Sequence, residues 1–531
     1  MSGKRVLALY GALLFCFAAV VCRLYWLCSD TDYGARAAAQ SVVTLHLPAR
    51  RGNFYDHRGQ LLTGQTTRWM ALCVPGEGSY ARLFAYTDAA GQAALYQKRN
   101  AASPFLLEVD QDVSALGVSC WPAARRSSAA PLAVQLLGYL DGEGHGAAGL
   151  EAAFDELLTG SGAGDTLLCT VNAQGKLRAE PVLTPADSGA VGVQLTLSRE
   201  IQQTAEAVAN ETMQSGCILV LDTANAKVRA CVSRPGYDPE NISASLNAPD
   251  SPLLERAFQC YAVGSVFKPV VAAAALEAGE SGFVYTCPGW CAVDGRIFRC
   301  AGGIPHGEVD LAGALEKSCN GYFIELGRRL GPERVRQMAA ALGFGKGQDI
   351  AAGLRASAGV LPEAETLENE GQFANFCFGQ GELLATPLQA AGMMNAIAAG
   401  GVYRTPLFVE CVVDEATGEE LAPLAHGSAR RVFSEETAKR LQDLLAGVVA
   451  EGTGQQAAPA EGTAAGKTGT AQTGQFREGE ELKNYWFAGF YPADRPRWTI
   501  VVMQDAQTEP EVSSAAVFAR LCDALAAGED G

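Results

Sequence analysis

Ser265 and Lys268 stand three residues apart in the stretch Tyr261-Ala-Val-Gly-Ser-Val-Phe-Lys-Pro269, after a glycine and just ahead of the apolar run Val270 to Leu276. Positions i and i+3 of a helix share a face, so the hydroxyl and the amine can meet. A serine near a helix N-terminus also sits where free backbone N–H groups and the helix dipole favour developing negative charge. A hydroxyl, an amine able to take its proton and a positive field are the parts of an activated nucleophile. Two further stretches carry polar groups suited to one cleft. Ser318 and Asn320 lie two apart in Glu316-Lys-Ser-Cys-Asn-Gly-Tyr-Phe323, on a loop between two helical patterns. Lys467, Thr468, Gly469 and Thr470 open a strand; Lys467 is read as an always-available positive charge, and Gly469 allows another backbone to approach closely. Each stretch has an ordinary explanation too. A Ser-x-x-Lys arises by chance in a chain this long, Ser318 to Asn320 can simply cap the next helix, and Lys-Thr-Gly suits a surface turn. The five histidines offer no Ser-His-Asp arrangement.

The elements that must position these residues are legible mainly in the second half. Ser198 predicts a helix N-cap, with the helix running to about Met213. Cys217 to Leu221 and Lys227 to Val232 read as two strands joined by a turn. Thr386-Pro387 opens a helix that Gly400-Gly401 closes. Ser434 caps another, whose Ala438, Leu441, Leu445 and Val448 form one apolar stripe. Tyr485 to Tyr491 and Trp498 to Met503 read as strands, and Ser513 to Ala527 as a closing helix. Strands first, helices in the middle, then strands and a helix predict one antiparallel sheet built from both ends of this region, with helices packed on it, an α+β arrangement. The first half is less regular. Ser41 to Leu47 alternates like a strand, the pattern from Trp69 to Ala130 is weak, and Gly149 to Leu158 reads as an amphipathic helix closed by Gly160. The stretch from Ala186 to Gly192 reads as the joint between the halves.

The chain has 531 residues, enough for more than one domain. Its net charge of −17 argues against a nucleic-acid partner, because phosphate binding needs a basic face. Lys4 and Arg5 precede an apolar stretch from Val6 to Leu27, interrupted only by Arg23. As a helix this is about 33 Å long, enough to cross a bilayer. Arg23 can snorkel outward, Tyr25 and Trp26 suit the interface, and the positive-inside rule puts the bulk of the chain outside the cytoplasm. A cleaved signal peptide is the rival reading, but the small residues Ala37 to Ala39 lie far beyond the apolar run. The expected layout is a cytoplasmic tail at 1–5, an anchor at 6–27, an N-terminal domain at 28–190 and a second domain at 191–531. Of sixteen cysteines, Cys16, Cys22 and Cys28 fall in or beside the anchor, leaving an odd thirteen outside. Cys287, Cys291 and Cys300 cluster ahead of His306 without a standard zinc spacing, and a Cys287–Cys300 disulfide is the expectation, with free thiols in a reducing, low-oxygen habitat as the other reading. Cys319, between Ser318 and Asn320, would disturb the cleft if oxidised.

Taken together and in this order, Ser-x-x-Lys, Ser-x-Asn and Lys-Thr-Gly resemble the penicillin-binding protein and serine β-lactamase superfamily. The resemblance is specifically to class B penicillin-binding proteins, the monofunctional peptidoglycan transpeptidases. Arg51-Gly52, Asp56 and Gly59 look like that family's first N-terminal box and Gly149-Leu150-Glu151 like its second. Arg256-Ala257, Gly379-Gln380-Gly381 and Trp486 to Phe490 are also similar. One departure is Glu255, where the family usually has asparagine. The resemblance covers nearly the whole chain. It implies a membrane helix, an elongated pedestal (dimerisation-like) domain and a β-lactamase-like transpeptidase domain. No glycosyltransferase domain is expected ahead of the pedestal and no wall-binding repeats after Gly531.

The resemblance also implies a serine-type D-Ala-D-Ala transpeptidase that needs no cofactor and no metal. Ser265 would attack the penultimate D-Ala carbonyl of a stem peptide. Neutral Lys268, its pKa lowered by Lys467 and partial burial, would take the proton, and Ser318 would relay one to the departing amine. Asn320 would hold the substrate amide and touch Lys268. The backbone N–H groups of Ser265 and Thr470 would form the oxyanion hole, and Lys467, Thr468 and Thr470 would face the terminal carboxylate. The strand carrying Gly469 would pair with the extended peptide. Expected partners are stem peptides, lipid-linked nascent glycan, β-lactams and a membrane glycosyltransferase of the SEDS family, in division, elongation or sporulation. The alternatives are a non-catalytic scaffold of a wall-synthesis complex, a β-lactamase or β-lactam sensor, and a D,D-carboxypeptidase that passes the acyl group to water.

Overall fold

The structure is a computed structural model that describes residues 3–29, 41–64, 66–76, 78–127, 130–160, 164–186, 189, 191–424 and 427–529. The small residues at 37–39, and residues 187, 188 and 190 of the expected joint, lie outside the described residues.

Two compact units divide the chain. The first comprises Met1–Arg51, Gly64–Arg126 and Thr159–Ala190. It begins with α1 (Gly3–Ser29), 27 residues with a mean hydropathy of 2.2 in its most apolar window and no buried side chain. Arg23 lies over the Trp26 ring at 4.6 Å, a cation–π contact one turn from the helix end. Strand β1 (Val42–His46) follows. The weakly patterned stretch that comes next forms β2 (Thr66–Cys73), β3 (Phe105–Val109) and β4 (Cys120–Arg125), with β2 in the centre of an antiparallel sheet. The irregular burial along β2 and β4, without the alternation of a half-buried strand, explains why this sheet left so faint a sequence signal. A second small sheet pairs β1, β5 (Thr166–Thr170) and β6 (Val182–Thr184), and Leu72 of the first sheet packs with Leu167 of the second.

The second unit comprises Gly52–Thr63, Ser127–Leu158 and Val191–Gly531. This division by packing differs from a single cut near residue 190. Phe54, Leu136, Leu137, Leu150 and Leu158 are buried in the core of the second unit, so the segments around both N-terminal boxes fold there. Asp56 is buried at the start of α2 (Arg199–Thr212). Its carboxylate accepts from the backbone N–H groups of Arg58, Gln60 and Arg199, where the helix dipole favours a negative charge. Gly52 has no alternative, because a Cβ there would lie 2.0 Å from the Val191 carbonyl oxygen. The expected single helix over Gly149–Leu158 is instead two short helices, Gly149–Ala153 and Asp155–Thr159, broken at Phe154.

The central sheet is five-stranded and antiparallel throughout. Its strands are β7 (Gly216–Asp222), β8 (Val228–Arg234), β9 (Ala465–Arg477), β10 (Glu480–Tyr491) and β11 (Trp498–Gln507), in the order β8–β7–β11–β10–β9. Strands from both ends of this region therefore pair as the pattern predicts. One face packs against α2 and the closing helix α8 (Ser514–Glu529), with Phe487 and Phe518 ring centroids 4.6 Å apart. The other face packs on the helical layer. Its innermost helices are α3 (Lys268–Glu277), α6 (Pro387–Ala398) and α7 (Glu435–Ala450). Every residue of α6 is buried, and Thr386 and Gln389 form a reciprocal capping box at its start. The buried amide of Asn395 accepts from Thr499 Oγ1 at 3.0 Å, joining helix to sheet. The alanines 272–275 make α3 thin enough to be enclosed on all sides, which draws Lys268, at its first turn, fully inside.

Candidate active site

Ser265 lies in a 3-10 turn, Gly264–Phe267, that runs straight into α3 rather than within the α-helix itself. The tighter turn eclipses i and i+3, which puts Ser265 and Lys268 on one side. Ser265 is half-buried while its neighbours Gly264, Val266 and Phe267 are buried. The turn is held on two sides by glycines. Gly264 has φ +63°, its N–H donates to the Gly379 carbonyl at 2.8 Å, and a Cβ on Gly264 would lie 2.6 Å from the Thr470 oxygen. A Cβ on Gly469 would lie 2.8 Å from Val266 Cγ2. Strand β9 can therefore lie directly on the serine turn, which brings Ser265 and Thr470 into one neighbourhood. Trp486, opposite Gly469 on β10, donates through its indole N–H to the Ala262 carbonyl at 3.0 Å. These contacts give physical roles to the Gly379–Gly381 and Trp486–Phe490 stretches.

Lys268, Ser318 and Asn320 meet directly. Ser318 sits between α4 (Leu311–Glu316) and α5 (Asn320–Leu330) with φ +53°, an uncommon backbone region for a residue with a Cβ. Asn320 is the first residue of α5, not part of the loop as expected. Lys268 Nζ lies 2.7 Å from the Ser318 carbonyl oxygen, 3.0 Å from Ser318 Oγ and 2.7 Å from Asn320 Oδ1. The Asn320 Nδ2 donates to the Arg299 carbonyl at 2.9 Å, which fixes the amide with its oxygen towards the lysine. Burial pulls the Lys268 amine down from 10.5 to about 7, against a smaller upward pull from the thiols of Cys319 and Cys300. The expectation of partial burial is thus corrected: burial is complete and is the main cause, with the expected repulsion between Lys268 and Lys467 acting beside it. A neutral amine here can donate to the Ser318 carbonyl and Asn320 Oδ1 and keep a lone pair for a hydroxyl proton.

Lys467 departs from its expected character as a freely available charge. It is fully buried, and burial together with the Lys268 charge holds its amine well below its usual range. Its Nζ donates to the Thr468 carbonyl at 3.2 Å and Thr468 Oγ1 at 3.3 Å. Burial and mutual repulsion disfavour both lysines being charged at once. Thr468 Oγ1 also meets Thr453 Oγ1 at 3.0 Å, a neighbour with no motif around it. Thr470 is exposed on β9, and β9 is an edge strand of the central sheet. Its unpaired side is therefore open to main-chain pairing with an extended ligand.

Three nearby features went unread or were misread. Arg256 is buried with its guanidinium on Asp505 at 3.2 Å and on the Ser251 and Asp250 carbonyls, so it clamps the approach to the serine turn. Glu255 accepts from Ser233 Oγ at 2.6 Å and from the Ala257 N–H at 3.1 Å, and burial pushes its carboxyl up, favouring the neutral acid. Both hydrogen bonds fall on the same Glu255 oxygen, an acceptor role that the amide oxygen of an asparagine also offers. The expected Cys287–Cys300 disulfide is not formed: both thiols are free, with their sulfurs 3.6 Å apart where a bond needs about 2.05 Å. Cys291 faces Glu325 instead.

Residues 216–523 match the penicillin binding protein transpeptidase domain family. Stage V sporulation protein D of Bacillus subtilis is 31% identical over 388 residues, covering 70% of this chain and 58% of that protein. Peptidoglycan D,D-transpeptidase PbpA of Mycolicibacterium smegmatis is 31% identical over 396 residues, covering 68% and 74% respectively. Among solved structures, penicillin binding protein 3 of Mycobacterium tuberculosis in complex with aztreonam superposes with a TM-score of 0.67 at 26% identity, covering 92% of this chain and 97% of that one. The chain thus spans somewhat over half the length of one curated relative and about three quarters of the other.

Proposed function

From a chain that belongs to the penicillin-binding protein transpeptidase family, and within it to the class B proteins, we propose a peptidoglycan D,D-transpeptidase acting through an acyl-enzyme on Ser265. The observation that carries this reading is the buried amine of Lys268, poised near neutrality three residues from Ser265 and held by Ser318 and Asn320. Ser265 Oγ attacks the carbonyl of the penultimate D-Ala of a stem peptide, and its proton passes to Lys268. The tetrahedral oxyanion lies against the backbone N–H groups of Ser265 and Thr470. The C–N bond then breaks, and D-Ala departs as an amine with a proton relayed through Ser318. The amine of a second stem peptide attacks the ester, forms the new amide and frees Ser265. The edge of β9 supports main-chain recognition of the donor peptide, and Lys467, Thr468 and Thr470 its carboxylate end. A penicillin acylates the same oxygen.

The reading places the catalytic unit outside the cytoplasm, with α1 as a single-pass anchor whose basic residues Lys4 and Arg5 stay inside. A fluorescent penicillin that does not cross membranes tests chemistry and orientation together on intact cells whose outer layers admit it. Wild-type protein is expected to take up the label and Ser265→Ala to take up none. A labelled Ser265→Ala would remove the nucleophile assignment, and labelling only after lysis would reverse the topology. The same reading extends to a SEDS-family glycan polymerase as partner, supplying lipid-linked nascent glycan. It predicts that the full-length protein co-purifies with such a polymerase from membranes and that replacing α1 with an unrelated apolar helix weakens the pair. Recovery without any polymerase after mild crosslinking would count against that partner.

A further inference from the structure

Three cysteines and one histidine from separate turns of the second unit converge beside the cleft. Cys287 ends a short strand (Tyr285–Cys287) that pairs with Gly307–Val309, and His306 directly precedes that partner. Cys300 follows the hairpin Trp290–Val293/Arg296–Arg299, and Cys319 is the N-cap of α5. Their donor atoms all lie within 4.8 Å of one another. Cys287 Sγ is 3.6 Å from Cys300 Sγ and 3.6 Å from His306 Nδ1, and Cys300 Sγ is 3.9 Å from Cys319 Sγ. Tetrahedral zinc with bonds of about 2.3 Å to sulfur and about 2.05 Å to nitrogen requires S···S edges of about 3.8 Å and S···N edges of about 3.6 Å. These three contacts match those edges to about 0.2 Å, and the two sulfur–sulfur distances exceed a disulfide by more than an ångström.

The surroundings fit the same ion. The three thiols are buried, and the backbone N–H groups of Gly289 and Tyr322 point at Cys287 Sγ and Cys319 Sγ, both at 3.4 Å, as the outer shell of a metal thiolate does. Three thiols cannot all be consumed as disulfides within the cluster, whereas three thiolates and an imidazole complete a closed four-ligand site.

We propose that Cys287, Cys300, His306 and Cys319 bind one structural zinc ion that holds the Ser318–Asn320 turn against Lys268. Binding converts three thiols to thiolates and releases their three protons to solvent, with no change of oxidation state. Cys319 lies between the two residues that contact the lysine amine, and Cys300 follows the Arg299 carbonyl that orients the Asn320 amide. The ion thus ties together the two backbone segments that fix this corner of the cleft. The metal assignment is independent of the proposed reaction; its effect on acylation rests on that reading.

Full-length protein purified in detergent under reducing conditions should carry about one zinc per chain by elemental analysis. Replacing the zinc with cobalt(II) should give the intense thiolate charge-transfer and tetrahedral ligand-field absorption of a sulfur-rich site. Cys300→Ser and His306→Ala should lower zinc content, and Cys291→Ser, whose sulfur faces Glu325, should not. Chelation of the wild type should lower its melting temperature and slow fluorescent-penicillin acylation by about ten- to a hundredfold, with recovery on adding zinc. Metal-free protein that gives no cobalt spectrum on reconstitution, or a Cys287–Cys300 disulfide in the non-reduced peptide map, would overturn the site. Zinc removal that leaves acylation unchanged would overturn its positioning role. Zinc-loaded protein that no penicillin labels would instead tell against the Ser265 chemistry and leave the metal standing.

Discussion

Replacing Lys268 with methionine is expected to slow acylation of Ser265 by about 10²- to 10⁴-fold, the usual contribution of a positioned general base. Methionine keeps the length and apolar stem that the enclosed α3 requires, so the loss is chemical more than steric. Lys268→Arg is expected to fail nearly as badly, because a guanidinium keeps its charge at any accessible pH and cannot accept the proton. If the residue served only as a positive charge, arginine would restore the rate. The wild-type pH profile follows from the same burial. The base form is the neutral amine, and the amine titrates near 7. The acylation rate constant should therefore climb as pH rises through about 7 and level off above it, falling about tenfold per unit on the acid side. Stopped-time labelling with a fluorescent penicillin across pH 5.5 to 9 measures it. A flat profile, or a near-wild-type rate in Lys268→Arg, would remove Lys268 from the role of base.

The second large effect is expected at Gly379→Ala, a position outside the motifs that carry Ser265, Ser318 and Lys467. Its φ is +81°, and a Cβ there would lie 2.0 Å from the Gly264 carbonyl oxygen and 2.9 Å from Phe267 Cβ. Gly264 in turn donates its N–H to the Gly379 carbonyl, so the two glycines form one backbone clasp under Ser265. Left-handed geometry costs about 1–2 kcal/mol for alanine and the overlap about 1–3 more. Relief of the overlap pushes the serine turn off Thr470, and a displacement of about 1 Å at a reacting group is enough for roughly a hundredfold loss of rate. Gly418→Ala separates the two causes, since Gly418 has φ +72° with nothing near a Cβ. It should lose melting temperature without losing acylation rate. Full stability and wild-type labelling in Gly379→Ala would mean that the clasp does not position the turn.

Much of the second unit was legible because its signals are local. Caps at Ser198, Thr386 and Ser434 and the apolar stripe of α7 fix helices within a few residues of where they occur. Strands β10 and β11 are runs of aromatic and β-branched residues bounded by turns, and they pair side by side. The sheet of β2, β3 and β4 in the first unit was not legible, since the burial along β2 and β4 is mixed and lacks a clean alternation. Nor was the assignment of residues 52–63 and 127–158, which depends on where Leu136, Leu150 and Leu158 find a core.

By itself the sequence determined which residue types the cleft would contain, because serine, lysine and asparagine keep their chemistry in any fold and their order in the chain is readable. Only the tertiary structure decided what state those groups are in. The amine of Lys268 is near neutrality because a helix of small residues is enclosed on every side, and burial on β9 beside Lys268 holds the amine of Lys467 well below its usual range. Desolvation is a property of everything packed around a group, and no spacing encodes it. The convergence of Cys287, Cys300, His306 and Cys319 is of the same kind, since strand pairing and a helix cap bring together residues whose separations along the chain match no ligand pattern.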